Sequence, residues 1–464
     1  MNRAAFLKTS MIGALALLLL IPVAMIRDLI HERQARRNQA VGEIALGWGG
    51  RQAFAGPYLV VPYERFWTEV EREVVDGIRK ERRTERSRSS LLRLPVDTMD
   101  WSIGAATGEK VRGIYRARLY TATIRAQGRI TLAARFGMPD SASRYRWGTP
   151  RFVVGVSDPR GIRSLSALAF GNQKFDFAPG PGDSLFGSGM HAALSGLAAS
   201  ESRTVAFSFS IELAGSEALA VAPLARNTIV ALRSDWPHPS FQGVFLPVQH
   251  EATRDGFVAR WQVSSFAAQG AERLKACEGG RECAALTAQE LGVSFIEPVS
   301  VYQQLERASK YGFLFIGLMF SAFFLFELLR RLAIHPIQYL LVGLALAMFF
   351  LLLTALSEHV TFGIAYAIAT LACVGLVTTY FVRALRNKAA GLTFGGALAL
   401  LYGALYMLLK AEDYALLAGA GLLFALLAGV MIATRRVDWY RLAPLVPGEG
   451  GAAAGAAAGA VPHG

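Results

Sequence analysis

Ser357, Glu358 and His359, adjacent in ALSEHVTFG, interrupt what would otherwise be one long apolar run. A hydroxyl, a carboxylate and an imidazole side by side are the groups that a hydrolase or a proton relay uses. Hydrolysis would require the Ser357 hydroxyl and the His359 ring to converge, and a tight turn between two helices does not ensure that. The plainer expectation is a polar lip, solvated by water or headgroups, whose charge keeps both flanking helices from sliding inward. His335, Gln338 and Tyr339 make a second polar group at the other end of the same run. A helix rises roughly 1.5 Å per residue, so the two groups lie about a bilayer apart and cannot share one active site.

A third constellation is SDWPHPSF, Ser234 to Phe241, in which Pro237 and Pro239 hold His238 stiff and extended beside Trp236 and Phe241. Its structural reading is a rigid corner between sheets, and its functional reading is a recognition surface. Cys277 and Cys283 in CEGGREC are expected to form a disulfide closing a small loop. A structural zinc site wants four ligands, and no His lies in that segment. Cys373, inside an apolar run, is expected to pack. Elsewhere the chemistry is missing. His31-Glu32 begins like a zinc-protease motif, but Ala35 stands where the second His belongs. There is no G-x-S-x-G elbow, P-loop or dinucleotide fingerprint, and the seven His are scattered. No catalytic residue, metal or cofactor is expected.

The elements that position these residues follow from hydropathy. With 464 residues, 53% hydrophobic and 18% charged, and a mean hydropathy of +0.34, the chain is too apolar for an ordinary soluble domain. Six uncharged stretches are read as long enough to cross a hydrocarbon core of roughly 30 Å, the second being the shortest. They are Thr9 to Ile26, Tyr311 to Phe326, Pro336 to Ser357, Val360 to Val382, Ala389 to Leu409 and Tyr414 to Thr434. Glu327, Leu328 and Leu329 are expected to carry the second into the headgroups. The first has no A-x-A cleavage site before Arg27 and reads as an uncleaved anchor. Arg330 and Arg331, then Arg383, Arg386 and Lys388, then Arg435, Arg436 and Arg441, fall at alternate helix ends. The charge rule therefore puts both termini in the cytoplasm and the large domain in the periplasm.

The expected domains are an anchor (1–26), a β-rich periplasmic domain (27–305), a five-helix transmembrane bundle (306–436) and a cytoplasmic low-complexity tail (437–464). Within the second, RITLAARF alternates Ile130, Leu132, Ala134 and Phe136 with polar or small residues. Val205, Phe207, Phe209 and Ile211 do the same, as do Phe257, Ala259, Trp261 and Val263. DPRG, APGPGD and RDG punctuate these runs. Glu64 to Arg93 reads as a solvated hairpin turning at Asp76-Gly77. Helix is expected over Arg27 to Ala45 and Thr287 to Leu291. The fold class is a polytopic α-helical membrane protein with a large β-rich, antiparallel sandwich-like periplasmic domain. The formal charge of +13 suits helix ends facing anionic lipid, and no nucleic-acid partner is expected.

HPIQYLLVGLALAMFFLLLTALSEHVTFGIAY, SDWPHPSFQGVFLP and VRGIYRARLYTATIRAQGRI closely resemble the CreD family of bacterial inner-membrane proteins, and the resemblance runs from the anchor through Trp439-Tyr440. It implies a cell-envelope-integrity protein whose production, in family members, is tied to a two-component stress regulon and to altered β-lactam or colicin sensitivity. It brings no enzymatic mechanism. CEGGREC looks like a lineage-specific insertion, and the tail from Gly448 to Gly464 is expected to be disordered. Three functions stay open. One is a non-enzymatic envelope protein whose partners are inner-membrane lipids and a periplasmic or envelope protein. The others are a transporter or lipid-handling protein built on the five helices, and a membrane hydrolase.

Overall fold

The computed structural model describes residues 3–75, 78–139, 144–183, 185–197, 201–277, 286, 289–295, 301–330, 335–384, 387–410 and 415–435. Two compact units emerge, Ala35–Pro298 and Met1–Gln34 with Val299–Gly464. The chain begins with α1 (Arg3–Leu18) and α2 (Leu20–Trp48). Only Leu19 separates them, and its N–H still donates to the Leu15 carbonyl at 3.0 Å. The helix expected from Arg27 thus continues from the first apolar stretch, and it ends at Trp48 because Gly49 and Gly50 follow with positive φ.

The unit Ala35–Pro298 is built on two sheets. Sheet A centres on β1 (Gln52–Val75), with β2 (Ile78–Pro95), β5 (Arg144–Trp147), β6 (Arg151–Val156), β10 (Ala178–Pro179), β11 (Gly189–Ala193), β13 (Ala218–Ala222), β15 (Ser240–Gly243) and β18 (Leu291–Ser294). Sheet B holds β3 (Thr98–Arg112), β4 (Tyr115–Leu132), β7 (Ile162–Leu165), β8 (Leu168–Phe170), β9 (Gln173–Phe175), β12 (Arg203–Ser216), β14 (Asn227–Ser234), β16 (Gln249–Thr253) and β17 (Gly256–Ser264). Two short helices, α3 (Ser265–Ala268) and α4 (Gly270–Ala276), follow β17. The expected antiparallel sandwich needs one correction, since β1 pairs β13 and β14 pairs β3 in parallel. Those partners are far apart in sequence, so long connections, not hairpins, bring them together.

The alternation read from the sequence sets the core. Trp101, Ile124, Phe207, Phe209 and Trp261 from sheet B meet Phe54, Leu59, Val61, Phe152 and Val293 from sheet A. Phe54 lies 5.5 Å from Trp101 and Phe152 lies 4.9 Å from Phe207, centroid to centroid. Successive side chains of β1 point to opposite faces. Tyr58 and Val60 therefore leave this core for a second one, formed with Val153, Leu224, Leu274, Cys277 and Leu286. Sheet A is apolar on both faces at this point, and Tyr58, Leu59, Val60 and Val61 are all buried in succession.

Two local expectations fail. The run through Phe136 stops as a strand at Leu132, because Arg135 and Phe136 take positive φ in a short turn, Ala134–Gly137, although Phe136 remains buried. The helix expected over Thr287 to Leu291 is contradicted at Leu291, which opens β18, and residues 287–288 lie outside the described ones. Pairing with β13 and β15 on both sides overrides the weak local helix preference there. Val75 pairs with Ile78, as a hairpin at Asp76-Gly77 requires, and those two residues lie outside the described ones.

The other unit contains α5 (Val301–Arg330), α6 (Pro336–Ser357), α7 (Phe362–Ala384), α8 (Lys388–Lys410) and α9 (Ala415–Thr434). Among the described residues, four helical stretches are long and apolar enough to cross a bilayer: Ser10–Trp48, Pro336–Ser357, Phe362–Ala384 and Lys388–Lys410. The short apolar stretch Tyr311 to Phe326 lies inside the longer α5, and α9 carries the last. Small residues let these helices approach closely. A Cβ at Gly343 of α6 would overlap the Leu19 side chain, and one at Gly395 of α8 would overlap Thr378 of α7.

Candidate functional site

Pro336 at the first turn of α6 fixes a helical φ without needing a partner for an N–H, and His335 caps the turn, its Nδ1 accepting from the Ile337 N–H at 3.3 Å. Gln338 donates its backbone N–H to the His335 carbonyl at 2.9 Å. Tyr339, one turn on, points into the bundle. It is fully buried, and its hydroxyl donates to Glu327 Oε2 at 2.7 Å. Phe323 stands 4.3 Å and Phe320 5.7 Å from its ring. Glu327 is only 9% exposed, packed among the helices of its unit. A carboxylate among aromatic rings is retained where a donor offsets its desolvation, and Tyr339 is such a donor. His335, Gln338 and Tyr339 are thus close along the chain without forming one site, as the first is a cap and the last a core residue.

At the far end of α6, Ser357 is buried and His359 is exposed. The Ser357 hydroxyl makes no hydrogen bond among the described residues, so no Ser–His pair stands at the hairpin. Glu358 instead faces other helices of its unit. Its Oε1 accepts from the Tyr302 hydroxyl of α5 at 3.4 Å, and its Oε2 lies 3.8 Å from the Arg33 guanidinium of α2. Nearby on α5, Lys310 lies 2.8 Å from Glu306. That cation, with His31 and Arg27 of α2, holds the Glu306 carboxyl below its ordinary range. Two carboxylates and several bases therefore tie α2, α5 and α6 together at one end of the bundle. Such an arrangement orients helices electrostatically, and it contains no activated nucleophile.

In the β-rich unit, Trp236 and its neighbours carry the chain from β14 in sheet B to β15 in sheet A. Trp236 is 7% exposed, and its indole N–H donates to the His238 carbonyl at 2.8 Å. The Arg118 guanidinium lies 4.1 Å over the Trp236 ring. His238 is exposed, while Phe241 packs edge-on against Trp261 at 5.7 Å and His250 at 5.3 Å. Cys277 is disulfide-bonded, and Cys283 lies outside the described residues.

A buried polar centre that sequence reasoning missed lies behind sheet A. Arg93 of β2 donates through Nε to Asp183 Oδ2 at 2.6 Å and through Nη2 to Oδ1 at 2.9 Å. A third donor, Nη1, reaches the Cys277 carbonyl, and the Tyr58 hydroxyl donates to Asp183 Oδ2 at 3.2 Å. The bond to Asp183 raises the Arg93 pKa further, and burial raises that of Tyr58. Nothing near Arg93 in the sequence signals this, because its partners are 90 and 184 residues away. On the outer face of sheet B, by contrast, Arg125, Arg129, Arg233 and Arg260 are exposed and have no ion-pair partner among the described residues. A groove there is lined by Thr98, Asp100, Gln127, Arg129, Ser208 and Asn227. Among the described residues no group of three or more His, Cys, Asp or Glu could hold a metal ion.

Apolar helices of membrane-crossing length, joined in one chain to a large two-sheet domain, define a multi-helix membrane protein with a β-rich domain. The chain belongs to the CreD family, described as inner membrane protein CreD, whose family model matches residues 4–440. It is 35% identical to the inner membrane protein CreD of Escherichia coli (strain K12) over 434 residues, covering 93% of both chains. It also overlaps an M1 zinc metallopeptidase from Deinococcus radiodurans at 9% identity and a TM-score of 0.17, covering 36% of this chain and 38% of that one. A mutant of that peptidase overlaps at a TM-score of 0.18, with 43% and 42% covered. Overlaps that weak say nothing about this chain's fold or chemistry.

Proposed function

We propose that the chain is a non-enzymatic inner-membrane protein supporting cell-envelope integrity, with both termini cytoplasmic and the β-domain in the periplasm, where it binds an envelope protein or lipid. The supporting observation is how polar groups divide. Buried ones such as Arg93 and Asp183 satisfy each other, whereas Arg125, Arg129, Arg233 and Arg260 are left exposed on one sheet face. A domain whose buried ion pair is spent on structure and whose exposed arginines are left unpaired on one sheet face is suited to surface recognition. The test is Arg129→Cys in intact cells with a permeabilised outer membrane. A membrane-impermeant maleimide is expected to label it before lysis, and labelling only after lysis would reject the orientation. A photo-cross-linker at the same position is expected to capture an envelope component. Ser357→Ala and His359→Ala, made separately, are expected to complement the envelope phenotype fully, and failure of both would bring back the hydrolase.

One observation favours a second reading, transport or lipid handling by the bundle: Glu327 is a carboxylate buried between helices. Glu327→Gln leaving envelope phenotype unchanged would remove it.

A further inference from the structure

Sheet B carries a groove of about 600 Å³ on its outer face. Its floor is two rows of side chains, because residues two apart on a strand share a face. Asn227, Thr98, Arg129 and Ala206 stand abreast on β14, β3, β4 and β12, and Ile229, Asp100, Gln127 and Ser208 form the next row. The register is unbroken across these four strands, so each row is three strand spacings long, about 14 Å.

Six polar side chains line this floor, Thr98, Asp100, Gln127, Arg129, Ser208 and Asn227, and none of them bonds to another described residue. Just outside the groove, polar groups do find each other. Thr131 bonds Thr204 at 3.1 Å, and Arg226 lies 3.7 Å from Asp97. Asp100 and Arg129 are diagonal neighbours across β3 and β4, opposite in charge and yet unpaired. One carboxylate and one guanidinium leave the groove without net charge, so it has no overall pull on an anion or a cation. The face stays mixed beyond it, with Glu212 one row from Arg125 and Glu251 one row from Arg260. The side chains of Asp, Asn, Gln and Arg are planar forks that can engage two atoms at once, and with the two hydroxyls they put donors and acceptors within one small area. At one end the lining is small, Ala206 with Ala169 and Gly171, so a ring can settle onto the sheet, and at the other Ile229 offers apolar contact.

We propose that this groove binds an uncharged oligosaccharide, about two or three pyranose rings of it, whose hydroxyls bond the amides of Gln127 and Asn227, the hydroxyls of Thr98 and Ser208, the Asp100 carboxylate and the Arg129 guanidinium. A sugar hydroxyl both donates and accepts, which matches a lining that mixes the two, whereas an acidic peptide would meet Asp100 and a basic one Arg129. This rests on the reading of the outer face of sheet B as a recognition surface and adds a saccharide to what that face recognises.

The experiment is calorimetric titration of cellotriose, maltotriose and chitotriose into the full chain in a polyoxyethylene detergent, which has no sugar head. Saturable binding of at least one is expected, with a millimolar or tighter dissociation constant. For the tightest of the three, Asp100→Leu with Gln127→Leu is expected to weaken binding roughly tenfold or more. Gln127→Ala with Asn227→Ala removes only the two amides and is expected to weaken it as well, and the thermal melt checks that each variant folds. Arg233→Gln with Arg260→Gln, on the same face but outside the groove, is expected to leave it unchanged. Raising the salt from about 0.05 to 0.5 M is expected to shift the affinity less than about twofold, because an uncharged ligand forms no ion pair to screen. No saturable binding at tens of millimolar sugar, equal loss in the groove and outside variants, or affinity that collapses in salt would each overturn the inference. If Arg129→Cys labels from outside and its cross-linker captures an envelope protein while no sugar binds, the saccharide inference falls alone.

Discussion

Arg93 and Asp183 meet at two points, Nε–Oδ2 at 2.6 Å and Nη2–Oδ1 at 2.9 Å, with the Asp183 side chain wholly sealed from solvent. Removing one member strands the other charge in an apolar layer. Arg93→Met is expected to cost about 3–5 kcal/mol. Arg93→Met combined with Asp183→Leu is expected to recover much of that loss, as measured by thermal unfolding of the detergent-solubilised chain.

Tyr339→Phe removes the buried donor to Glu327 while keeping the ring that packs against Phe323. A loss of about 1–3 kcal/mol is expected from a carboxylate deprived of that bond. Glu327→Gln keeps an acceptor for the Tyr339 hydroxyl, so its melting temperature is expected to fall less. Equal losses in the two variants would show that charge, not the hydrogen bond, governs this position.

Gly343 and Gly317 distinguish close approach from composition. A side chain at Gly343 would overlap Leu19, whereas one at Gly317 would meet nothing within 4 Å. Gly343→Leu is expected to destabilise the bundle by about 1–3 kcal/mol through overpacking. Gly317→Leu is expected to be near neutral. Both are read from the thermal melt in the same micelle.

Helix positions were legible because a bilayer demands long uncharged runs, and Pro336–Ser357 coincides with its predicted bounds. Strand faces were legible too, because Phe257, Ala259, Trp261 and Val263 alternate with exposed neighbours. Long-range pairings were not. The parallel ladder of Asn227–Ser234 on Thr98–Ala105 leaves no local trace, since alternation is the same for either direction of pairing. Arg93 looked like one more member of a charged hairpin, because its burial depends on residues 90 and 184 positions away in the chain.

Acid titration offers a local check in the β-domain. Arg160 bonds Asp158 through its side chain and backbone, holding the Asp158 carboxyl below its ordinary value of 3.8. A carboxyl depressed on folding contributes stability that is complete above 3.8 and is lost as pH falls through the lower, folded value. The difference in stability between the parent chain and Asp158→Asn is therefore expected to be constant near neutrality and to shrink below about pH 4. Chemical denaturation at several pH values measures it, and a gap independent of pH would contradict the assignment.

Leu274 and Cys277 belong to the apolar layer behind sheet A, together with Tyr58 and Val60. These two residues therefore cover the apolar face that Tyr58 and Val60 present. Removing Leu274 and Cys277 would bare that apolar face to solvent.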